Sequence, residues 1–310
     1  RAVKYGVTKD YVLNLKVVLP TGEIIWTGAN VLKNATGYDL TALMIGSEGA
    51  IGIITKIVFK LIPLPTKDIT MLVPFTSAEK ACEAVSAVFR AGITPSALEF
   101  IERDATLWTL KYTDIDLQIE DEIQAHLLVE VDGNDMDVLN KDCERIAEVM
   151  EQFECGEILL ADSESQKNKI WKLRRAIAES VKSNSIYKEE DTVVPRAELA
   201  KLLKGVKEIG KKYGFKSVCY GHAGDGNLHI NIIKGEMSDT DWNNKLDFGI
   251  RELFQLTKSL GGTLSGEHGI GLVQKKFMDI VFSEKELELQ KGIKQLFDPN
   301  GILNPGKVFS

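Results

Sequence analysis

The chain has 310 residues, 44% of them hydrophobic and 27% charged, which is enough for two domains with their own cores or one large α/β domain. Its formal net charge of −7 argues against a nucleic-acid binder, which needs a basic face, and no run approaches the ~18 apolar residues of a membrane span. Cys82, Cys143, Cys155 and Cys219 are widely spaced with no Cys-x-x-Cys pair, so a zinc knot or a cysteine-held iron–sulfur cluster is not indicated and a reducing cytoplasm is the simplest setting.

Residues 11–28 predict a β-hairpin, with a strand from Tyr11 to Leu19, a turn at Pro20-Thr-Gly22 and a return from Glu23 to Trp26. Residues 34–49 read as polar loop ending in Ile45-Gly-Ser-Glu-Gly49, and the β-branched run from Ile51 to Leu61 predicts a buried strand. Pro63 and Pro65 mark a domain boundary, giving 1–66 and 67–310 as the two parts. Strands then follow at 68–75, 96–101, 124–131 and 156–161, with helices at 77–91, 135–153, 163–184, 196–213 and 240–260. Ser283 with Glu286 fits a capping box that opens the last helix. Strands and helices alternate irregularly, without repeated βαβ units, which predicts an α+β domain with a mostly antiparallel sheet.

Three of the four histidines sit in two glycine-rich runs, His222-Ala-Gly-Asp-Gly-Asn-Leu-His229 and Ser265-Gly-Glu-His-Gly-Ile-Gly271. On one regular strand His222 and His229 would point to opposite faces, but Gly224-Asp-Gly226 permits a bulge or turn that brings both imidazoles to one site. Asn231 would share the face of His229. Glu267 could add a carboxylate from the second run, completing two histidines and one carboxylate with open positions, a set suited to a catalytic metal. His268, next to it, is free to act as a general base. The competing reading is a tight turn whose histidines satisfy local hydrogen bonds.

Three further segments carry weaker signals. The loop from Ile45 to Thr55 offers backbone N–H groups to a pyrophosphate or an adenine edge, although it is neither a Rossmann nor a P-loop fingerprint. Arg174, on the helical stretch Trp171-Lys-Leu-Arg-Arg-Ala-Ile-Ala178, has the fork that clamps a carboxylate. Glu189, Glu190 and Asp191 form an acidic run expected to be solvated, and Lys188 before it is long enough to reach a substrate anion, though nothing local demands it.

Together these residues resemble the FAD-linked oxidase family that holds the glycolate oxidase flavin subunit, D-lactate dehydrogenases and D-2-hydroxyglutarate dehydrogenases. The likeness covers essentially the whole chain. Its markers are Lys33-Asn-Ala-Thr-Gly-Tyr-Asp-Leu40, the Ile45–Thr55 loop, Trp171–Arg174, the two histidine runs and Asp298-Pro-Asn-Gly-Ile-Leu-Asn-Pro-Gly-Lys307. The resemblance implies a flavoprotein of the vanillyl-alcohol-oxidase type, with the C-terminal half of an FAD domain, then an α+β substrate domain whose last ~30 residues return toward the FAD domain. It implies FAD lined by Glu48, Gly49, Ala50, Ile51, Gly52, Ile53 and Ile54, chiefly through backbone, with Asn304 near the flavin. It implies a divalent metal (zinc, manganese or iron) on His222, His229 and Glu267, Arg174 on the substrate carboxylate, Asn231 assisting and His268 as base.

The implied reaction is oxidation of a D-2-hydroxy acid to the 2-oxo acid, with hydride passing to flavin N5. Electrons would leave to an electron-transfer flavoprotein or an iron–sulfur subunit, and a homodimer fits the type. Ala178 stands where the hydroxyglutarate branch has threonine, and Lys188 is one register from that branch's substrate lysine. Both departures favour glycolate or D-lactate over a dicarboxylate. The chain begins just past the family's first FAD half, which predicts a C-terminal part of a longer protein that holds FAD weakly or not at all by itself. A metal-dependent hydrolase and a non-catalytic metal-binding subunit are the alternatives the residues leave open.

Overall fold

A computed structural model describes residues 1–161 and 163–309. It divides into two compact units: Arg1–Tyr5 with Pro65–Gly266, and Gly6–Leu64 with the chain from Glu267 onward.

The chain opens with a one-turn helix, α1 (Ala2–Tyr5), that belongs to the larger unit. The smaller unit then forms β1 (Val12–Val18), β2 (Ile24–Trp26), α2 (Leu40–Met44) and β3 (Ile53–Phe59), with strand order β2-β1-β3 and antiparallel pairing. The hairpin predicted at 11–28 is therefore present. Asp39 caps α2 by accepting the Ala42 N–H, a short helix that the polar composition of 34–49 concealed. Leu15 and Val17 of β1 pack on Met44 and Ile51 to make the core of this unit.

One expectation fails here. The run from Ile51 was read as a buried strand, yet Ile53, Ile54, Ile57 and Phe59 of β3 are exposed. Branched apolar side chains favour the extended backbone, but burial needs a covering layer, which among the described residues β1 has on its inner face and β3 lacks.

The larger unit runs β4 (Lys67–Phe75), α3 (Ala78–Arg90), β5 (Ala97–Glu102), α4 (Arg103–Tyr112), β6 (Ala125–Gly133), α5 (Met136–Glu151), β7 (Leu159–Leu160), α6 (Glu164–Asn184), β8 (Tyr187–Val193), α7 (Leu199–Tyr213), β9 (Lys216–Gly221), β10 (Asn227–Ile233), α8 (Asp239–Asn244) and α9 (Leu246–Ser259). Its seven strands lie in the order β7-β4-β6-β5-β9-β10-β8, and every pair is antiparallel. The α+β class with an antiparallel sheet stands. Helix α4 and strand β8 escaped the sequence reading, the strand predicted at 156–161 shrinks to two residues, and the helix predicted at 240–260 breaks at Lys245.

Helical spacing explains the layers. In α7, Leu199, Leu202, Leu203, Val206 and Ile209 recur on one face and are buried, and Gly214 at φ +79 ends the helix. Ser163 caps α6 through the Gln166 N–H, and Ile170, Leu173, Ile177 and Val181 form its buried stripe. That stripe packs on Leu72, Ile101, Leu128, Val218 and Tyr220 of the sheet. Alternation along β6 therefore puts His126, Leu128, Glu130 and Asp132 on the face shared with α6, while Leu127, Val129 and Val131 face the layer that α3, α5 and α7 help to form. Among the described residues no helix is long and apolar enough to cross a membrane.

The smaller unit ends with α10 (Met278–Val281) and α11 (Glu284–Phe297). Ser283 and Glu286 form the predicted capping box. After α11 the Asp298 carboxylate accepts the N–H groups of Ile302 and Leu303 at 3.0 and 2.8 Å.

His126 is 4% exposed, and burial, with a smaller contribution from Arg103, pushes its imidazole down to about 4. The unfolded chain takes up this proton near pH 6.5, so between pH 6.5 and 4 it binds a proton that the folded chain does not. The stability held above pH 6.5 is lost as pH falls through that window, by up to about 3 kcal/mol. Urea midpoints compared at pH 7 and pH 4.5 should drop less for His126→Gln than for the wild type.

Candidate active site

The first histidine run is shaped by its glycines. β9 ends at Gly221, a 3-10 turn spans Ala223–Asp225, and β10 begins at Asn227. Gly226 has φ +77, and a Cβ there would lie 1.9 Å from the Val194 carbonyl oxygen, so no side chain fits. The turn carries His222 back over the face of β10 that presents His229. The two ring centroids are 5.7 Å apart and the rings are edge to face.

Register decides what surrounds them. His229 lies opposite Tyr220 of β9 and Asp191 of β8, and Asn231 opposite Val218 and Glu189. Asn227, His229 and Asn231 thus share a face with Glu189 and Asp191. His229 Nδ1 is 3.5 Å from Glu189 Oε1 and 3.7 Å from Asp191 Oδ1. Asp191 accepts from Asn227 Nδ2 at 2.6 Å and from Ser265 Oγ at 3.0 Å.

The acidic run expected to be solvated is therefore a strand, and Glu190 and Asp191 are fully buried. Its charge misled because donors from β10 and the second histidine run satisfy Asp191, and a hydrogen-bonded carboxylate can be enclosed. Lys188 is likewise misplaced as a substrate contact. It sits on the opposite face of β8, 3.8 Å from Glu190 and 3.6 Å from Asp247.

Arg174 projects from α6 and is not a solvated helix arginine, since only 11% of its side chain is exposed. Its Nε donates to Glu99 Oε2 at 2.8 Å. Its Nη2 lies 2.7 Å from the same oxygen, an ion-pair contact too oblique to count as a second hydrogen bond. The guanidinium also lies 5.1 Å over the Tyr220 ring. The other Glu99 oxygen, Oε1, is 2.8 Å from His222 Nδ1. Burial alone would raise the Glu99 carboxyl most, but His222 and Arg174 outweigh it and hold it below the ordinary carboxylate range. Burial and then Glu189 push the Tyr220 phenol far up, so it stays protonated and donates.

Glu130 completes this face. It accepts from Trp171 Nε1 at 2.9 Å, and Arg1 Nη2 lies 2.9 Å from it. Glu99, Glu130 and Tyr220 were absent from the sequence reading, and Glu189, Asp191 and Asn227 appeared in it without a role at the site. The available signal was a lone carboxylate inside an apolar run, as in Ala97-Leu-Glu-Phe-Ile101 and Leu127-Leu-Val-Glu-Val131.

The donor chemistry fits a divalent cation. Imidazole nitrogens ~2.1 Å from a tetrahedral ion would put two ring centroids about 5 Å apart, close to the spacing of His222 and His229. Neighbouring carboxylates suit zinc, manganese or iron. Asn231 adds a buried Oδ1 with no hydrogen-bond partner among the described residues, while its Nδ2 donates to Val218 O at 3.3 Å.

The remaining candidates belong to the smaller unit. Glu48, at φ 50, accepts the N–H groups of Ile270 and Gly271 on its carboxylate at 2.7 and 2.8 Å. Asn304, at φ 42, donates from Nδ2 to the Glu48 carbonyl at 2.5 Å. A Cβ on Gly49 would lie 2.8 Å from that same Nδ2. Three separate motifs thus meet at Glu48, whose carboxylate is occupied inside the unit. The backbone after it is what a cofactor can use: Ala50, Ile51 and Gly52 are buried, Ile53 and Ile54 are exposed, and β3 pairs only with β1 among the described strands. Its outer edge offers N–H and C=O groups suited to a flavin or a pyrophosphate. Glu267 and His268 are exposed just before Gly269, which has φ +78.

Residues 64–308 match the family described as FAD linked oxidases, C-terminal domain. The chain is 36% identical to D-lactate dehydrogenase of Anaerostipes hadrus, over 99% of this chain and 66% of that protein. It is 35% identical to glycolate oxidase subunit GlcD of Bacillus subtilis (strain 168), over 100% and 65%. A third relative, D-2-hydroxyglutarate dehydrogenase of Stutzerimonas stutzeri (strain A1501), is 32% identical over 100% and 67%. The chain thus spans about two thirds of the length of these relatives. In fold it is similar to 4-ethylphenol oxidase from Gulosibacter chungangensis (TM-score 0.70, 17% identity, 97% of this chain and 66% of that one) and to p-cresol methylhydroxylase (0.67, 17%, 96% and 65%).

Gly226→Ala should cost about 2–4 kcal/mol in urea unfolding, because strain at φ +77 adds to the clash with Val194 O. Gly214→Ala, at φ +79 with nothing within 4 Å of its Cβ, should cost only about 1 kcal/mol. Equal losses at the two positions would show that the turn tolerates a side chain.

Proposed function

The chain belongs to the FAD-linked oxidases, and from that premise we propose that it carries the substrate machinery of a flavin-dependent dehydrogenase that oxidises a small D-2-hydroxy acid, glycolate or D-lactate, to the 2-oxo acid. The observation that carries this reading is the convergence of Arg174, His222 and His229 on one sheet face, with Glu99 joining the first two. The quoted relatives are all named as dehydrogenases or an oxidase subunit, which favours oxidation over metal-assisted hydrolysis.

FAD, held chiefly by backbone from Glu48 to Ile54 with Asn304 beside it, supplies the two-electron acceptor at N5 when bound. His222, His229 and Glu267 would hold a divalent ion, which would supply positive charge that makes the substrate hydroxyl more acidic.

The chain's own residues do the rest. Arg174 presents its outer guanidinium edge to the substrate carboxylate, since Glu99 takes the Nε side. Asn231, on the same face as His229, assists in orienting the acid. His268 takes the hydroxyl proton as general base. Glu99, Glu130, Glu189 and Asp191 crowd the same face with negative charge, which disfavours a second substrate carboxylate and supports a monocarboxylic acid. An electron-transfer flavoprotein or an iron–sulfur subunit is the acceptor this chemistry calls for.

In the FAD-loaded protein under anaerobic conditions, D-lactate and glycolate should bleach the flavin, and L-lactate and D-2-hydroxyglutarate should not. Arg174→Lys keeps the charge but loses the fork, and kcat/KM should fall about 100-fold or more. No bleaching by any 2-hydroxy acid would defeat the reading. Glu267→Ala should lose both bound metal and turnover, and intact metal content with full turnover would remove the ion from the mechanism.

A further inference from the structure

Glu99 stands outside every motif quoted above, yet its carboxylate touches both Arg174 and His222. It is 4% exposed on β5, with Oε2 on Arg174 and Oε1 on His222 Nδ1. Resting on the function proposed above, we propose that Glu99 is a positioning residue that fixes the ligand form of His222 and the free edge of Arg174 together, so that metal and acid bind as a linked pair.

The argument is one of donors and acceptors. A carboxylate paired with a guanidinium has no proton to give, so the 2.8 Å contact with His222 requires that Nδ1 carry the hydrogen. Neutral imidazole then has its lone pair on Nε2, the form that ligates a cation. Oriented histidine ligands draw their tautomer and basicity from such a partner, and losing it weakens a metal about 10–100-fold. The same carboxylate engages Arg174 through Nε and Nη2, which leaves the Nη1–Nη2 end of the fork as the edge open to a substrate.

Neither partner can swing away without disturbing the other, because both act on one rigid planar group. Arg174 also lies 5.1 Å over the Tyr220 ring.

The test uses the chain itself, free of flavin, with zinc ion alone, D-lactate, which has no hydride acceptor there, and 15N NMR of the histidine side chains. Wild type should show His222 protonated at Nδ1, and D-lactate should tighten zinc binding. Glu99→Gln should give a mixed or reversed His222 tautomer, about 10–100-fold weaker zinc and no gain from D-lactate. Glu99→Asp keeps the charge and should restore the Nδ1–H tautomer in part. If Glu99→Gln folds, binds zinc as tightly as wild type and leaves the His222 tautomer unchanged, the proposal is overturned while the metal reading survives. If wild type itself binds no zinc, the metal reading fails first and the linkage falls with it. A change confined to the urea midpoint would mark Glu99 as structural only and also overturn the proposal.

Discussion

Charge compensation on one sheet face governs the larger unit. Glu99, Glu130, Asp132 and Asp191 are all nearly or fully buried, and enclosing even one unpaired carboxylate costs several kcal/mol. Each is answered by a specific donor. Glu99 has Arg174 and His222, and Glu130 has Trp171 and Arg1. Asp132 has Arg1, Lys4 and Tyr5, and Asp191 has Asn227 and Ser265. Apolar packing of α6 fixes one end of that face, and these polar pairs fix the other. The arrangement is rigid because pairs held at 2.6–3.1 Å have little room to adjust once water is excluded.

This division explains what could be read from the chain. Helices α3, α5, α6 and α7 announce themselves by apolar spacing, as Leu199, Leu202, Leu203 and Val206 do in α7, because burial of a helix stripe depends on local periodicity. The turn between His222 and His229 was legible because glycine has a specific backbone use. Glu99 and Asp191 were not, because a partner's identity depends on pairing across the sheet: Arg174 is 75 residues from Glu99, and Asn227 is 36 from Asp191. Strand β8 was missed for a related reason. Its acidic sequence describes a solvated segment unless β10 is known to lie beside it. The exposed β3 is the converse case, since its composition reports backbone preference and is silent about cover.

The smaller unit uses a different device. Glu48 and Asn304 both hold positive φ, a conformation that disfavours ordinary side chains. Asn304 donates to the Glu48 carbonyl, and the N–H groups of Ile270 and Gly271 hold the Glu48 carboxylate. Backbone strain over-determined by surrounding hydrogen bonds is what presents a stretch of main chain in a fixed shape to a ligand.

The pairing of β10 with β8 and β9 has a consequence for how this chain tolerates change. Insertions and deletions in a surface turn are usually harmless, but the turn after His222 is a ruler. Removing one residue from it would slide β10 by one position against both neighbours. Leu228, Ile230 and Ile232 would then swing onto the acidic face, and Asn227, His229 and Asn231 would be driven into the aliphatic layer on the other side. Point changes in this segment can be absorbed one contact at a time, whereas a change in its length exchanges the two faces of a strand at once.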